Sequence, residues 1–151
     1  MNIKLVNVSE DNFDEVVELQ LEPEQEDYLP SNAYSIAEST LSPLFNPRVI
    51  CRDKQVVGFL MYQFGEYGLA DKDECILWRF MIDRRFQNQR IGHAAMALLL
   101  PEIRLNTSCS RFIVYYDQDN PPARQLYTSF GFRPIGFRDD GDVIAELSLQ
   151  R

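Results

Sequence analysis

The sequence predicts one α/β domain, a mixed sheet with helices on its faces, and three observations carry the prediction. At 151 residues and 45% hydrophobic, the chain is the size of one ordinary domain with a core of its own. Its apolar patterning runs in the order β-α-α-β-β-β-α-β-α-β-β, which belongs to a mixed sheet covered by helices. Residues 75–100 then pass from an apolar strand through a polar turn into an apolar helix, an α/β junction in a single stretch.

Ile3-Lys4-Leu5-Val6-Asn7-Val8 alternates as a short strand. Ser9 with Asp11-Asn12 opens a helix carrying Phe13, Val16, Val17 and Leu19, which Pro23 ends or interrupts. A second helix spans 31–41, between Pro30 and Pro43. Val49-Ile50-Cys51 leads through the turn Arg52-Asp53-Lys54-Gln55 into a strand over 56–62, a hairpin. Gly65 and Gly68 mark a turn, residues 75–82 form the next strand, and a helix runs over 91–104. Arg111-Phe112-Ile113-Val114-Tyr115-Tyr116 has the β-branched and aromatic content of a buried strand. Asn120 is a good N-cap, Pro121-Pro122 in the first turn forfeit no needed N–H, and Gly131 stops the helix that follows. Residues 135–137 and 143–149, joined by Asp139-Asp140-Gly141-Asp142, form a closing hairpin.

Cys51, Cys75 and Cys109 are far apart and odd in number, so neither a disulfide framework nor a zinc site is indicated, and each reads as a small buried hydrophobe. No apolar run approaches the ~18 residues that span a bilayer. The start lacks the apolar core of a secretory signal, and a cytoplasmic protein is expected. Net charge is −8, unevenly spread. Between Lys4 and Arg48 there is no basic residue, while Glu10, Asp11, Asp14, Glu15, Glu18, Glu22, Glu24, Glu26, Asp27 and Glu38 are all acidic. Such a segment repels nucleic acid and anionic membranes and attracts a cationic partner. It reads equally as a solvated helix face, and the same face can line a substrate entrance.

The junction at 75–100 is where chemistry is expected. A helix N-terminus presents N–H groups without intrahelical partners and the positive end of a dipole, a combination that holds phosphate or pyrophosphate. Arg84, Arg85 and Arg90 add charge of the right sign. The stretch Gln87-Asn88-Gln89-Arg90-Ile91-Gly92 resembles the coenzyme A signature Gln/Arg-x-x-Gly-x-Gly/Ala of the GNAT superfamily of N-acetyltransferases, with Arg90 where the first glycine is usual. Arg fits there if the local backbone is already helical. About thirty residues on, Asn120-x-x-Ala123-x-x-Leu126-Tyr127-x-x-Phe130-Gly131-Phe132 resembles a second block of the same family. Asn120, Ala123 and Tyr127 share one helix face.

The resemblance implies a GNAT-like α/β (α+β) fold, with a mostly antiparallel central sheet of about seven strands flanked by helices. It implies acetyl-CoA as co-substrate with no metal, and a homodimer as is common in the family. Backbone groups of Phe80, Met81 and Ile82 would pair with the pantetheine arm. The amides of Asn88, Gln89, Arg90, Ile91, Gly92 and His93 would hold the pyrophosphate, Gln87 would belong to the same coenzyme-binding turn, and Asn120 would lie near the thiol end. Tyr127 is assigned as the general acid for the departing thiolate, since a phenol of ordinary pKa about 10 stays protonated where a thiol of ~8.5 is formed. Each has a structural reading beside it: a half-buried helix tyrosine for Tyr127, an exposed first-turn residue for His93.

Glu26-Asp27-Tyr28-Leu29-Pro30-Ser31-Asn32-Ala33-Tyr34-Ser35-Ile36-Ala37-Glu38 and Trp78-Arg79-Phe80-Met81-Ile82-Asp83 are similar to the bacterial spermine/spermidine acetyltransferase branch. That places a small cationic amine near Glu24, Glu26, Asp27 and Glu74. The general base stays open among Glu26, Asp27, Glu74 and Asp83, with Asp83 also readable as a strand-end cap or a partner of Arg84 or Arg85. The alternatives are another amine, such as an aminoglycoside, an amino acid or a protein N-terminus, and a non-catalytic acyl-CoA-binding module. A nicotinamide-dinucleotide domain is excluded by the lack of Gly-x-Gly-x-x-Gly after the first strand.

Overall fold

A computed structural model describes residues 2–65, 73–106 and 108–149. Seven strands form one sheet: β1 (Ile3–Val6), β2 (Phe45–Arg52), β3 (Gln55–Phe64), β4 (Glu74–Ile82), β5 (Arg111–Tyr116), β6 (Arg133–Phe137) and β7 (Val143–Ser148). Their spatial order is β1-β2-β3-β4-β5-β7-β6. All neighbours are antiparallel except β4 and β5, so the expected mixed, mostly antiparallel sheet is present. Helices α1 (Phe13–Glu18) and α2 (Asn32–Ser39) lie on one face, where Val16 and Leu19 pack on Val49, Phe59, Met61 and Met81. Helices α3 (Ile91–Arg104) and α4 (Pro121–Ser129) feed the larger core, where Ala95, Met96, Leu99, Ile103 and Tyr127 meet Ile50, Leu60 and Phe112. Cys75 and Cys109 are buried as expected, whereas Cys51 is half-buried.

Local signals hold where local chemistry dominates. Ser31 caps α2 by accepting from the Tyr34 N–H, and the Asn120 side chain caps α4 by accepting from the Ala123 N–H at 3.3 Å. Gly131 ends α4 with φ of 95°. The first helix departs from expectation. It stops at Glu18, well before Pro23, because the backbone of Gln20 is taken by a tertiary partner: its N–H donates to Asp83 Oδ2 at 2.9 Å and its carbonyl accepts from the Arg84 N–H at 2.7 Å. A 3₁₀ segment over Pro23–Tyr28, not expected from the sequence, follows. Strand β1 ends at Val6 rather than Val8. Strand β2 begins at Phe45 rather than Val49 and passes through Pro47, which is tolerated because β1 covers only Val49–Arg52 and leaves that side of Pro47 unpaired. Gly65 adopts φ of 75° at the end of β3, while the expected turn residue Gly68 lies outside the described residues.

Two irregularities shape the middle of the sheet. Met61 pairs with Arg79 but Tyr62 pairs with Leu77, so Trp78 is an extra residue in β4. The alternation along β4 therefore slips by one. Leu77 and Phe80 both face the larger core, while Trp78 and Arg79 both turn toward the α1/α2 face. Arg79 there donates to Ser35 Oγ at 3.0 Å and pairs with Glu38 at 3.0 Å, fastening α2 to β4. Secondly, β4 and β5 pair only from Glu74↔Arg111 to Leu77↔Val114. Beyond Leu77 the two strands part.

On β3, Gly58 allows the approach of β4 at its far end, since a Cβ there would stand 2.5 Å from the Met81 carbonyl oxygen. Gly58→Ala is expected to destabilise the fold by about 1–3 kcal/mol. Thermal unfolding should register a Tm lower by roughly 2–10 °C, and an unchanged Tm would show that β4 moves aside freely.

Candidate active site

The parting of β4 and β5 opens a cleft of about 810 Å³. Its walls come from the 3₁₀ segment, the end of β4, the β4–α3 turn, the end of β5 with the loop after it, and α4. Phe80, Met81 and Ile82 line it, as do Gln87, Asn88, Arg90, Ile91, Gly92, His93, Asn120 and Tyr127. Beyond Leu77, β4 has no β5 partner along this edge, so an extended amide-bearing chain finds open strand hydrogen-bonding groups there.

At the α3 end, the first intrahelical bond runs from the Ala94 N–H to the Arg90 carbonyl at 3.1 Å, leaving the N–H groups of Ile91, Gly92 and His93 without helical partners. The helical backbone that would make Arg at position 90 easy to accommodate is not present. Arg90 sits in the left-handed region at φ 64°, ψ 18°, and Asn88 shares that hand at φ 63°, with Gln89 between them on the ordinary side. Alternating handedness lines up successive backbone N–H groups around an anion, and the residues present therefore fit a pyrophosphate. The glycine usual at position 90 matches this conformation, and Arg90 holds it at a steric cost of about 1–2 kcal/mol. Gln89 does not line the cleft; its Oε1 accepts from Arg52 at 2.7 Å. His93 lines it with its ring 4.6 Å from that of Phe130.

Tyr127 stands on α4 with its ring stacked on Tyr116 at 5.6 Å and set edge-on to Phe132 at 5.5 Å. It is 7% exposed, and its hydroxyl has no hydrogen-bond partner among the described residues and opens onto the cleft. Burial, and the nearby Tyr116, push the phenol well above its ordinary range. A proton is thus held at the cleft wall through neutral and mildly alkaline pH.

The acidic residues divide differently from expectation. Glu24 lines the cleft, but Glu26 and Asp27 do not, because the 3₁₀ segment turns them to the outer side. Glu74 lies at the closed end of β4, where it pairs with Arg111 at 2.9 Å. Asp83 is buried and caps the turn after β4, accepting from the Gln20 N–H, the Arg85 N–H at 3.0 Å and Arg85 Nε at 2.8 Å. Burial raises its pKa, but the hydrogen bonds from Arg85 and Gln20 outweigh that and hold it below the usual carboxylate value. None of the four candidate bases lines the cleft.

Sequence reasoning missed Glu22, Asp117 and Asp142, which do line it. Burial, and repulsion from Asp140 and Asp117, raise the Asp142 carboxyl. Trp78 and Tyr115, 5.6 Å apart, form an aromatic wall there, with the Arg138 guanidinium 4.4 Å from the Tyr115 ring. The Tyr28 hydroxyl reaches the Asp119 carbonyl at 3.4 Å, so the two acidic segments approach each other. Pro23 after Glu22 and the Asp-rich loops were visible signals, but only β5–β7 pairing brings Asp117 and Asp142 together. Among the described residues no three His, Cys, Asp or Glu side chains gather as a metal ion would require, and no helix is long and apolar enough to cross a membrane.

This splayed sheet and helix-capped cleft define an acetyltransferase architecture. Residues 13–132 match the model of the acetyltransferase (GNAT) family, and the chain belongs to that family. It is an acetyl-CoA-dependent N-acetyltransferase. The spermine/spermidine N(1)-acetyltransferase of Bacillus subtilis (strain 168) is 27% identical over 152 residues, covering 97% of this chain and 100% of the relative. In fold the chain is similar to the ribosomal-protein-S18-alanine N-acetyltransferase of Escherichia coli, with TM-score 0.74, 16% identity, and 99% and 96% of the two chains covered. It is also similar to the aminoglycoside acetyltransferase AAC(6')-Ib in complex with coenzyme A, with TM-score 0.80, 12% identity, and 99% and 96% covered.

Relief of the left-handed strain exceeds the added chain entropy of glycine, so Arg90→Gly is expected to stabilise the free protein by about 0.5–1 kcal/mol. Chemical denaturation measures this directly. A loss of stability would mean that contacts of the Arg90 side chain outweigh the strain.

Proposed function

We propose that the enzyme transfers the acetyl group of acetyl-CoA to a primary amine of a small polycation, spermidine or spermine in kind, by direct attack within a ternary complex in the cytoplasm. The observation that carries this reading is the charge of the cleft. Glu22, Glu24, Asp117 and Asp142 line it from three segments, the first two of which meet through Tyr28, while among the described residues the basic ones lining it come from 84–93. A pyrophosphate suits the basic turn and a polycation suits the carboxylates. Similarity to the Bacillus subtilis enzyme supports the same substrate class.

In this reading the coenzyme's pyrophosphate lies against the N–H groups from Asn88 to His93, and its pantetheine arm lies along Phe80, Met81 and Ile82. Asn120 stands near the thiol end. The amine nitrogen, in its neutral form, bonds to the acetyl carbon as the carbon–sulfur bond breaks. The leaving thiolate takes its proton from the Tyr127 hydroxyl, and the surplus proton of the new amide nitrogen passes through water in the cleft to restore that hydroxyl. No metal takes part.

The test is thiol release from acetyl-CoA across spermine, spermidine, an aminoglycoside, free amino acids and a basic peptide, against a blank without amine. Turnover is expected with spermine and spermidine; turnover only with another member overturns the polycation assignment. Tyr127→Phe should lower kcat by about 10²-fold while acetyl-CoA binds with unchanged Kd. Because burial raises the phenol, the wild-type kcat should rise with pH as the amine loses its proton, with no fall from Tyr127 below the ordinary tyrosine value of about 10. An unchanged kcat in Tyr127→Phe rules out the acid role.

A further inference from the structure

Gln87 opens the coenzyme signature, which assigns it to the coenzyme-binding turn. The hydrogen bonds of its side chain point elsewhere. Its Nε2 donates to the Ile82 carbonyl at 3.0 Å and to Gln25 Oε1 at 2.8 Å, so both amide protons are spent. Its Oε1 accepts from Gln25 Nε2 at 3.2 Å, closing a reciprocal amide pair. A phosphate oxygen needs a donor, and the Gln87 side chain has none left.

Gln25 is the hub of the 3₁₀ segment. Besides pairing with Gln87, its Oε1 accepts from the Glu22 N–H at 3.2 Å, the reciprocal cap that starts the segment. One side chain thus fixes the backbone of Glu22 and, as its direct neighbour, that of Glu24, the two carboxylates this segment contributes to the cleft. The same side chain is bolted to the turn that offers its N–H groups to the coenzyme. The partners are 62 residues apart in sequence, so the link is purely tertiary. A second tie runs alongside it, from the Gln20 backbone to Asp83 and Arg84.

We propose that Gln25 and Gln87 act as one positioning unit that couples the coenzyme turn to the acidic wall, so that a filled coenzyme site holds Glu22 and Glu24 ready for the amine. The substrate half of this statement rests on the polycation reading above; the coupling half does not. Neither glutamine touches a reacting atom. Their effect is on the placement of the amine-binding carboxylates, and through it on the amine KM.

Gln25→Ala, Gln87→Ala and the double variant test the unit. Each single change is expected to raise the KM for spermine about tenfold, equivalent to ~1.4 kcal/mol. The double variant should be no worse than either single one, because the two side chains share one interaction. Acetyl-CoA Kd, measured by calorimetry, should be unchanged in Gln25→Ala. Hydrogen exchange supplies the readout that needs no amine: coenzyme A should slow exchange of residues 20–29 in the wild type and lose that effect in Gln25→Ala. A wild type that turns over no polycation but shows the exchange effect sinks the substrate reading alone. Additive KM effects, an equal exchange effect in Gln25→Ala, or no slowing in the wild type overturns the coupling. A tenfold weaker acetyl-CoA Kd in Gln87→Ala with none in Gln25→Ala would make Gln87 a coenzyme ligand and overturn the coupling.

Discussion

The structure depends on a strand pair that is shut at one end and open at the other. At the shut end Arg111 on β5 reaches Glu74 on β4 and Glu146 on β7, tying three neighbouring strands by charge. Three further parallel pairs follow, and after Leu77 and Val114 the strands diverge. A strand edge without a partner leaves backbone donors and acceptors open, and the edge of β4 beyond Leu77 offers them to the cleft. The extra residue Trp78 acts at the same level. By slipping the alternation of β4 it sends Trp78 and Arg79 toward α2 and returns Phe80 and Ile82 to the larger core, just where the strand becomes the cleft floor.

A cleft held open in this way must be braced from outside the sheet. The bracing is largely polar: Arg79 with Glu38 and Ser35, Asn32 donating to the Val16 carbonyl at 2.9 Å, and Asp83 with Gln20 and Arg85. Isolated ionic groups of this kind are costly to bury, and each here is met by several partners. Arg79 and Asp83 join the α1/α2 side to β4 and its end, and Asn32 ties α2 to α1. Backbone strain is concentrated on the opposite lip, at Asn88 and Arg90, where two side-chain-bearing residues occupy the left-handed region beside the open N–H groups of α3. Strain at a binding turn persists only where the surroundings over-determine it, and the Gln25–Gln87 pair and the Asp83 cap are those surroundings.

Local chemistry was legible. The N-caps Ser31 and Asn120, the stop at Gly131, the bounds of α3 and the shared face of Asn120, Ala123 and Tyr127 follow from spacing within one helix, where neighbours in sequence are neighbours in space. The placement of acidic residues was not legible. Composition could flag ten carboxylates between Lys4 and Arg48, but which of them face the cleft depends on a 3₁₀ turn whose start is fixed by Gln25. Glu74 illustrates the same limit: adjacent to the central strand in sequence, it is consumed by Arg111 across a parallel register that no local pattern encodes.

The sequence by itself determined the class of fold, the strand–turn–helix over 75–104 and the helix that carries Tyr127, because periodicity, caps and turn residues act over a few positions. The tertiary structure alone decided where helix α1 ends, that Arg90 is left-handed, that Asp117 and Asp142 join Glu22 and Glu24 around one cleft, and that Gln87 is bound to Gln25. Those outcomes turn on which distant group satisfies a given donor or acceptor, and that is settled only once the sheet has brought the segments together.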